Sequence, residues 1–288
     1  MEKLMSYQTL IDCETLASHL QQDDWRVMDC RFDLMAPEAG RQAYAEGHIP
    51  GALYAHLNED LSAPVTSTSG RHPLPAKAAF ARCIAGWGIT PQTQVVVYDN
   101  QRGAIASRLW WMLRWLGHDR VALLDGGLQT WLEQSLPMSQ VSYDYAKATE
   151  SAYTETHCFY TLHDVEKKLL NNEILLLDAR DSARFRGEVE PIDRVAGHIP
   201  GAVNLPFSGN LDSSGKFLTV DCLRDRFHKT LNKFSPTEVV HMCGSGVTAC
   251  HNLIAMEIAG LHGSRLFPGS WSEWITDVKR SVIRELDA

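Results

Sequence analysis

The sequence predicts an α/β protein built from two tandem copies of one domain, each a mostly parallel sheet with helices on both faces. Three observations carry that prediction: an internal repeat, an alternation of short apolar runs with helical patterns, and loops that join the one to the other. The repeat comes first, because "AEGHIPGALYAHL" at Ala45 to Leu57 returns as "VAGHIPGAVNLPF" at Val195 to Phe207, and self-similarity over such a distance marks duplicated architecture. The flanks correspond as well. "DWRVMDCRF" matches "EILLLDARD", "QVVVYDNQRGAIASRLWWMLRWLG" matches "EVVHMCGSGVTACHNLIAMEIAG", and "LLDGGLQTWLEQ" matches "LFPGSWSEWITD". The expected organisation is a domain over 1–135, a polar connection over 136–160 and a second domain over 161–288.

Within each half, Val95 to Tyr98 and Ile174 to Leu177 are too short for helices and consist mostly of branched apolar residues, the pattern of a strand buried on both faces. Arg108 to Leu116 carries Leu109, Trp110, Leu113 and Leu116 near helical spacing, and Thr161 to Leu170 does the same with Leu162, Val165, Leu169 and Leu170. Strand and helix alternating in this way predict parallel sheets covered on both sides. The 8 tryptophans are expected in cores and packing faces.

The chain has 288 residues, 44% hydrophobic and 22% charged, with a formal net charge of -8. That acidity argues against nucleic acid as the main partner, and an anionic small substrate would need a local basic pocket. The N-terminal "MEKLMSYQTLIDCETL" lacks a basic flank leading into an apolar core, and no run reaches the roughly twenty apolar residues of a membrane span. The 7 cysteines contain no C-x-x-C pair, which suits neither a disulfide scaffold nor a zinc site. A reducing cytoplasm, with no metal and no organic cofactor, is the expectation.

Ligands of open parallel sheets gather where strands end and loops enter helices. Cys243 stands there: Glu238 to Met242 reads as the strand, Gly244 to Gly246 as a tight turn, and Val247 onward as a helix. The glycines allow positive φ and leave the sulfur uncovered, while Ser245 and Thr248 place hydroxyls beside it. Converging N–H groups at a helix N-terminus favour the thiolate, the nucleophilic form. Cys250 reads as core.

These residues carry a resemblance. The duplicated GHIPGA (Gly47 to Ala52, Gly197 to Ala202), "CGSGVTA" at Cys243 to Ala249 and "GSWSEW" at Gly269 to Trp274 make nearly the whole chain resemble a two-domain sulfurtransferase of the rhodanese family, on its 3-mercaptopyruvate/thiosulfate branch. The resemblance implies that Cys243 takes a sulfur from 3-mercaptopyruvate or thiosulfate as a persulfide and passes it to a thiol, cyanide or protein acceptor. Gly244 and Ser245 stand where thiosulfate-type loops resemble a pair of basic residues, which points to mercaptopyruvate. The loop residues Gly244, Gly246, Val247 and Thr248 are expected around the substrate, and Arg184 in "ARFRG" matches the family's anion-gripping arginine. In the E-P-R segment of mercaptopyruvate enzymes this chain has Ile192, leaving Arg194 as the nearby candidate. Ser245 and His72 match a Ser–His–Asp relay whose acid position falls at Asn58, beside Glu59 and Asp60. Asp99 occupies the cysteine's place in the first half, so that half should be silent, closing over Cys243 and lending it residues. His48 and His198 recur in both halves and read as structural.

Two other classes are open to such a loop. A cysteine phosphatase or arsenate reductase resembles a longer loop ending in arginine, where this chain has Ala249, Cys250 and His251. A non-catalytic sulfur-carrier partner would fit better had both halves lost the cysteine.

Overall fold

The computed structural model describes residues 6–150, 156 and 158–285. The chain divides into two compact units. The first comprises Met1–Ser62, Pro75–His157 and Ser214–Lys216, and the second Ala63–Leu74, Cys158–Ser213 and Phe217–Ala288. The twelve-odd residues around Gly70 therefore pack with the second unit although they lie in the first half of the sequence.

The first unit runs β1 (Leu10–Ile11), α1 (Cys13–His19), β2 (Trp25–Asp29), α2 (Ala39–Glu46), β3 (Ala52–Tyr54), α3 (Lys77–Gly86), β4 (Gln94–Tyr98), α4 (Ala106–Trp115), β5 (Val121–Leu124) and α5 (Gly127–Glu133). Its five strands pair in the order β1-β5-β4-β2-β3, every pair parallel. The second unit runs α6 (Leu162–Leu170), β6 (Leu175–Asp178), α7 (Ser182–Arg186), β7 (Val203–Asn204), α8 (Val220–Leu231), β8 (Val239–Met242), α9 (Ala249–Ile258), β9 (Arg265–Leu266) and α10 (Ser270–Trp274). Its order is β7-β6-β8-β9, again all parallel. Reversed, that is β9-β8-β6-β7, the counterpart of β5-β4-β2-β3, so the repeat in sequence is a repeat in topology.

The central strands are buried along their whole length, as their continuous apolar runs require. Leu16, Val27, Val96 and Trp131 meet in one core, and Val165, Leu176, Val240 and Trp271 in the other. All tryptophans except Trp87 are buried. Thr161 starts α6 with a capping box to Asp164, satisfying donors that the first turn leaves open.

The repeated GHIPGA turn is held in the same way twice. Arg31 grips Asp29 and donates to the Gly47 carbonyl at 2.7 Å, and Arg180 grips Asp178 and donates to the Gly197 carbonyl at 2.9 Å. His48 stacks on Tyr44, and its Nδ1 lies 2.7 Å from the Tyr44 carbonyl oxygen; His198 stacks on Phe185 with Nδ1 2.8 Å from that residue's carbonyl oxygen. Part of the polar stretch after α5 runs along the first unit: Ser139 exchanges backbone hydrogen bonds with His48, and Tyr145 stacks under the Arg26 guanidinium at 3.7 Å. Residues 151–155 and 157 of the expected connection lie outside the described residues.

Candidate active site

Cys243 follows β8 directly, at the carboxyl end of a central strand, and is 2% exposed. The loop after it is slightly longer than its sequence pattern suggests, because α9 begins at Ala249 with Thr248 as its cap, so Val247 belongs to the loop. Gly246 has φ of 74°, a side chain there would collide with the Pro268 carbonyl oxygen at 2.2 Å, and its N–H donates to the Cys243 sulfur at 3.2 Å. Gly244 does not use positive φ, contrary to expectation; what needs its missing side chain is the space above it. A Cβ at Gly244 would lie 2.9 Å from Nη2 of Arg71 and 3.6 and 3.7 Å from Nη2 and Nη1 of Arg184.

Around the sulfur the loop is pinned from α10. Ser270 sits at φ of 54°, accepts a hydrogen bond from the Cys243 N–H at 3.1 Å and donates to the Phe267 carbonyl at 2.9 Å. The N–H groups of Trp271 and Ser272 donate to the carbonyls of Cys243 and Gly244 at 3.1 and 2.8 Å. Sequence reading passed over Ser270. Its only signal was that Ser270 aligns with Gly127, which also has positive φ, at 60°.

His72 reaches the loop, its Nδ1 lying 2.8 Å from the Ser245 hydroxyl, with both residues buried. The neighbouring Arg71 donates its backbone N–H to the Ser272 hydroxyl at 3.1 Å, which seats the whole Gly70–His72 segment on α10. The residues considered for the relay's acid have partners in the first unit. Asn58 donates its N–H to His56 Nδ1, Glu59 pairs with Arg41 at 2.6 Å, and Asp60 accepts from the His56 N–H at 2.8 Å.

Arg184 comes off α7 beside the loop. It grips Glu190 through Nε and Nη2 and also meets Asp193 at 3.3 Å. Burial alone would push the Glu190 carboxyl up, but the Arg184 hydrogen bond and charge, with the N–H groups of Asp193 and Ile192, take it below the ordinary carboxylate range. Burial lifts Asp193 above its usual value, although Arg71 and Arg184 pull the other way. Arg194 departs from expectation: its guanidinium donates to the carbonyls of Ile275 and Thr276 and so secures the end of α10. Arg186 pairs with Glu188 in solvent. Cys250 is fully buried and Val247 is 4% exposed, while Thr248 is half-buried at the loop's end.

The corresponding loop of the first unit is filled from within. Asp99 follows β4, and its carboxylate accepts from the N–H groups of Gln101, Gly103, Ile105 and Ala106, all at 2.8 Å. Burial lifts this carboxyl above its ordinary value, against the downward pull of the four N–H groups.

One group of metal-ligating types occurs among the described residues, Glu38, His56 and Glu59, with ligand atoms within 4.8 Å of one another. Arg41 donates to both carboxylates, at 3.1 and 2.6 Å. His56 accepts two N–H groups at Nδ1, which puts its proton on the Nε2 that faces Glu38. The cluster already has its cation and offers no imidazole lone pair.

Fold and site together define a class: tandem α/β domains of one topology, of which a single copy carries a thiol in the ligand-receiving loop. The family model of the rhodanese-like domain matches residues 12–134 and again 161–277, so the chain belongs to the rhodanese-like domain family. Among its relatives is a Pseudomonas aeruginosa protein named "Probable 3-mercaptopyruvate sulfurtransferase", 46% identical over 280 residues, covering 96% of this chain and 99% of the relative. The thiosulfate sulfurtransferase of Gallus gallus is 33% identical over 254 residues, covering 86% of each chain. Among solved structures, the 3-mercaptopyruvate sulfurtransferase from Leishmania major superposes with a TM-score of 0.82 at 32% identity, covering 93% of this chain and 74% of the other.

Proposed function

We propose that this chain is a sulfurtransferase that moves sulfur from 3-mercaptopyruvate, through a persulfide on Cys243, to a thiol, cyanide or protein acceptor. The observation that carries the reading is Cys243 itself, at the end of β8 with the Gly246 N–H on its sulfur and two guanidiniums over the next residue. In the first step the Cys243 thiolate attacks the donor sulfur, the S–S bond forms and the donor's C–S bond breaks. The electron pair of that bond stays on carbon as the enolate of pyruvate. The proton that the donor thiol gives up ends on that carbon, and its movement is assigned to the Ser245 hydroxyl with His72, a reading their 2.8 Å contact supports. In the second step an acceptor thiolate attacks the outer sulfur, the S–S bond breaks and the Cys243 thiolate returns.

Mercaptopyruvate is favoured over thiosulfate by the first-named relative and by the neutral Gly244 and Ser245. A phosphatase or arsenate reductase reading is disfavoured because Ala249, the seventh residue counted from Cys243, stands where the phosphate-gripping arginine of such a loop would be. The chemistry requires reduced thiols, and no cysteine among the described residues is in a disulfide, which supports the cytoplasm as its setting. No helix among the described residues is long and apolar enough to cross a membrane.

The test is Cys243→Ser, assayed with mercaptopyruvate and with thiosulfate, beside intact-mass analysis of the donor-treated proteins. The expected result is a gain of one sulfur atom on the unsubstituted protein only, with transfer abolished and melting unchanged in the variant. Retention of most turnover by Cys243→Ser would overturn the reading.

A further inference from the structure

A groove of about 710 Å³ opens on the second unit between the end of α6, the turn at Pro200 and the chain that follows α10. No residue assigned to the chemistry of Cys243 lines it. We infer that this groove docks an acidic peptide segment of a partner protein, one that presents an apolar anchor side chain between carboxylates.

The apolar surface of the groove comes from the way α6 ends. Leu162, Val165, Leu169 and Leu170 share one face of the helix by their spacing. Val165 enters the second core and Leu162 and Leu169 pack against it, but the helix stops at Leu170, which stays 84% exposed in the groove wall. Val278, next to the groove-lining Lys279, is 89% exposed. These are the two most exposed large apolar side chains among the described residues, and they flank one concave site. Single apolar residues scattered on a surface are ordinary, whereas two beside a groove mark a contact surface. Trp274 adds its ring to the lining, and its Nε1 is already donated to the Ser281 carbonyl at 3.0 Å, so it offers the groove apolar surface only.

Charge selects the occupant. Glu166 is the one carboxylate among the lining residues, and Arg280 neutralises it, donating Nε to it at 2.6 Å and Nη1 to the Trp274 carbonyl at 3.1 Å. Asp277, just outside, turns its carboxylate to the Lys279 N–H at 2.9 Å. Lys167 on α6 and Lys279 beyond α10 remain as exposed ammonium groups, with no hydrogen-bond or ion-pair partner among the described residues. A basic rim on a chain of net charge -8 suits carboxylates on either side of an anchor that fills the groove. A free small anion would leave Leu170 and Val278 in water, and a flat bilayer would leave the groove unfilled. A second copy docked face to face would set like charges against one another.

The experiment selects a displayed library of random dodecapeptides on the intact protein and measures the enriched peptides by fluorescence anisotropy. The expected sequences place an aromatic or branched apolar residue among two or more aspartates or glutamates. Their affinity should fall at least about tenfold in Lys167→Glu with Lys279→Glu, and comparably in Leu170→Ser, since one change reverses the rim and the other removes apolar contact. All three positions are exposed, so melting curves should be unchanged, and amide shifts on peptide addition should cluster at Leu170, Lys279 and Ser281. Failure to enrich, enrichment of neutral or basic sequences, or equal binding by the charge-reversed variant would overturn the proposal. Tighter binding to phosphatidylglycerol vesicles through the same residues would do so in favour of a membrane, and sedimentation showing self-association abolished by Leu170→Ser would do so in favour of a second copy.

Discussion

Arg184 divides its donors between Glu190 and Asp193, and the division sets what its substitution should do. On the proposed reading, removing the guanidinium takes away a substrate contact, and it leaves Glu190, held below its ordinary value by that same group, without its main partner. Arg184→Ala should therefore raise KM for mercaptopyruvate at least about tenfold and also lower the melting temperature, whereas Arg184→Lys should restore melting more than KM, since an ammonium can pair with Glu190 but lacks the fork. Steady-state kinetics and thermal melts on the two variants check both halves; unchanged KM in Arg184→Ala would reject the grip. At this scale the sequence was informative wherever spacing along the chain placed a residue in the loop, as for Cys243, Ser245 and Gly246. His72 and Arg184 are named by resemblance alone. Arg71 and Asp193 were not found, because their pairing joins residues far apart in the chain, and nothing in "GRHPLP" says which basic residue faces which acid. Arg194 was a candidate for its closeness to Arg184 in sequence, and the carbonyls at the end of α10 claim it instead.

Strand β8 carries a polar residue through a wholly buried position. His241 is pressed against Met256 at 3.2 Å, its Nδ1 has no partner among the described residues, and burial drives its pKa down to about 3. The folded state thus keeps this imidazole neutral from neutral pH down to about 3, while the unfolded chain takes up a proton near the ordinary value of 6.5. Between those limits the unfolded state binds more protons, so stability rises with pH, by at most about 1.4 kcal/mol per pH unit. His241→Leu should flatten that slope between pH 6 and 4 in urea titrations, and an unaltered pH profile would refute it. Elements of this kind were legible because continuous apolar runs flanked by loop residues leave little alternative. The start of α9 was displaced by two residues because Val247 satisfies an apolar helical period while its backbone is still in the turn. The role of Gly244 was misread for a related reason: a glycine's sequence symbol does not tell a need for positive φ from a need for room.

For the whole molecule, duplication made the architecture readable, since each copy served as a check on the other's strands. The exchange of segments was not readable. Ala63–Leu74 lies between β3 and β4 of the first unit in sequence yet packs with the second unit, and no periodicity marks a segment that leaves its neighbours. A fragment of residues 161–288 retains Cys243, Ser245 and Arg184 but lacks Arg71 and His72. Its kcat/KM with mercaptopyruvate should fall at least about a hundredfold, and adding residues 1–160 in trans should recover part of it; full activity in the fragment alone would dismiss both first-half residues from the reaction. The aspartate in the first unit has a further use. Because Asp99 fills its own turn with a carboxylate bound by four amides, each molecule contains a standing reference for an occupied anion loop. Amide chemical shifts and hydrogen exchange at Gly103 and Ile105 give the signature of occupancy, against which Gly246 and its neighbours can be read, in the same tube, as the second unit cycles.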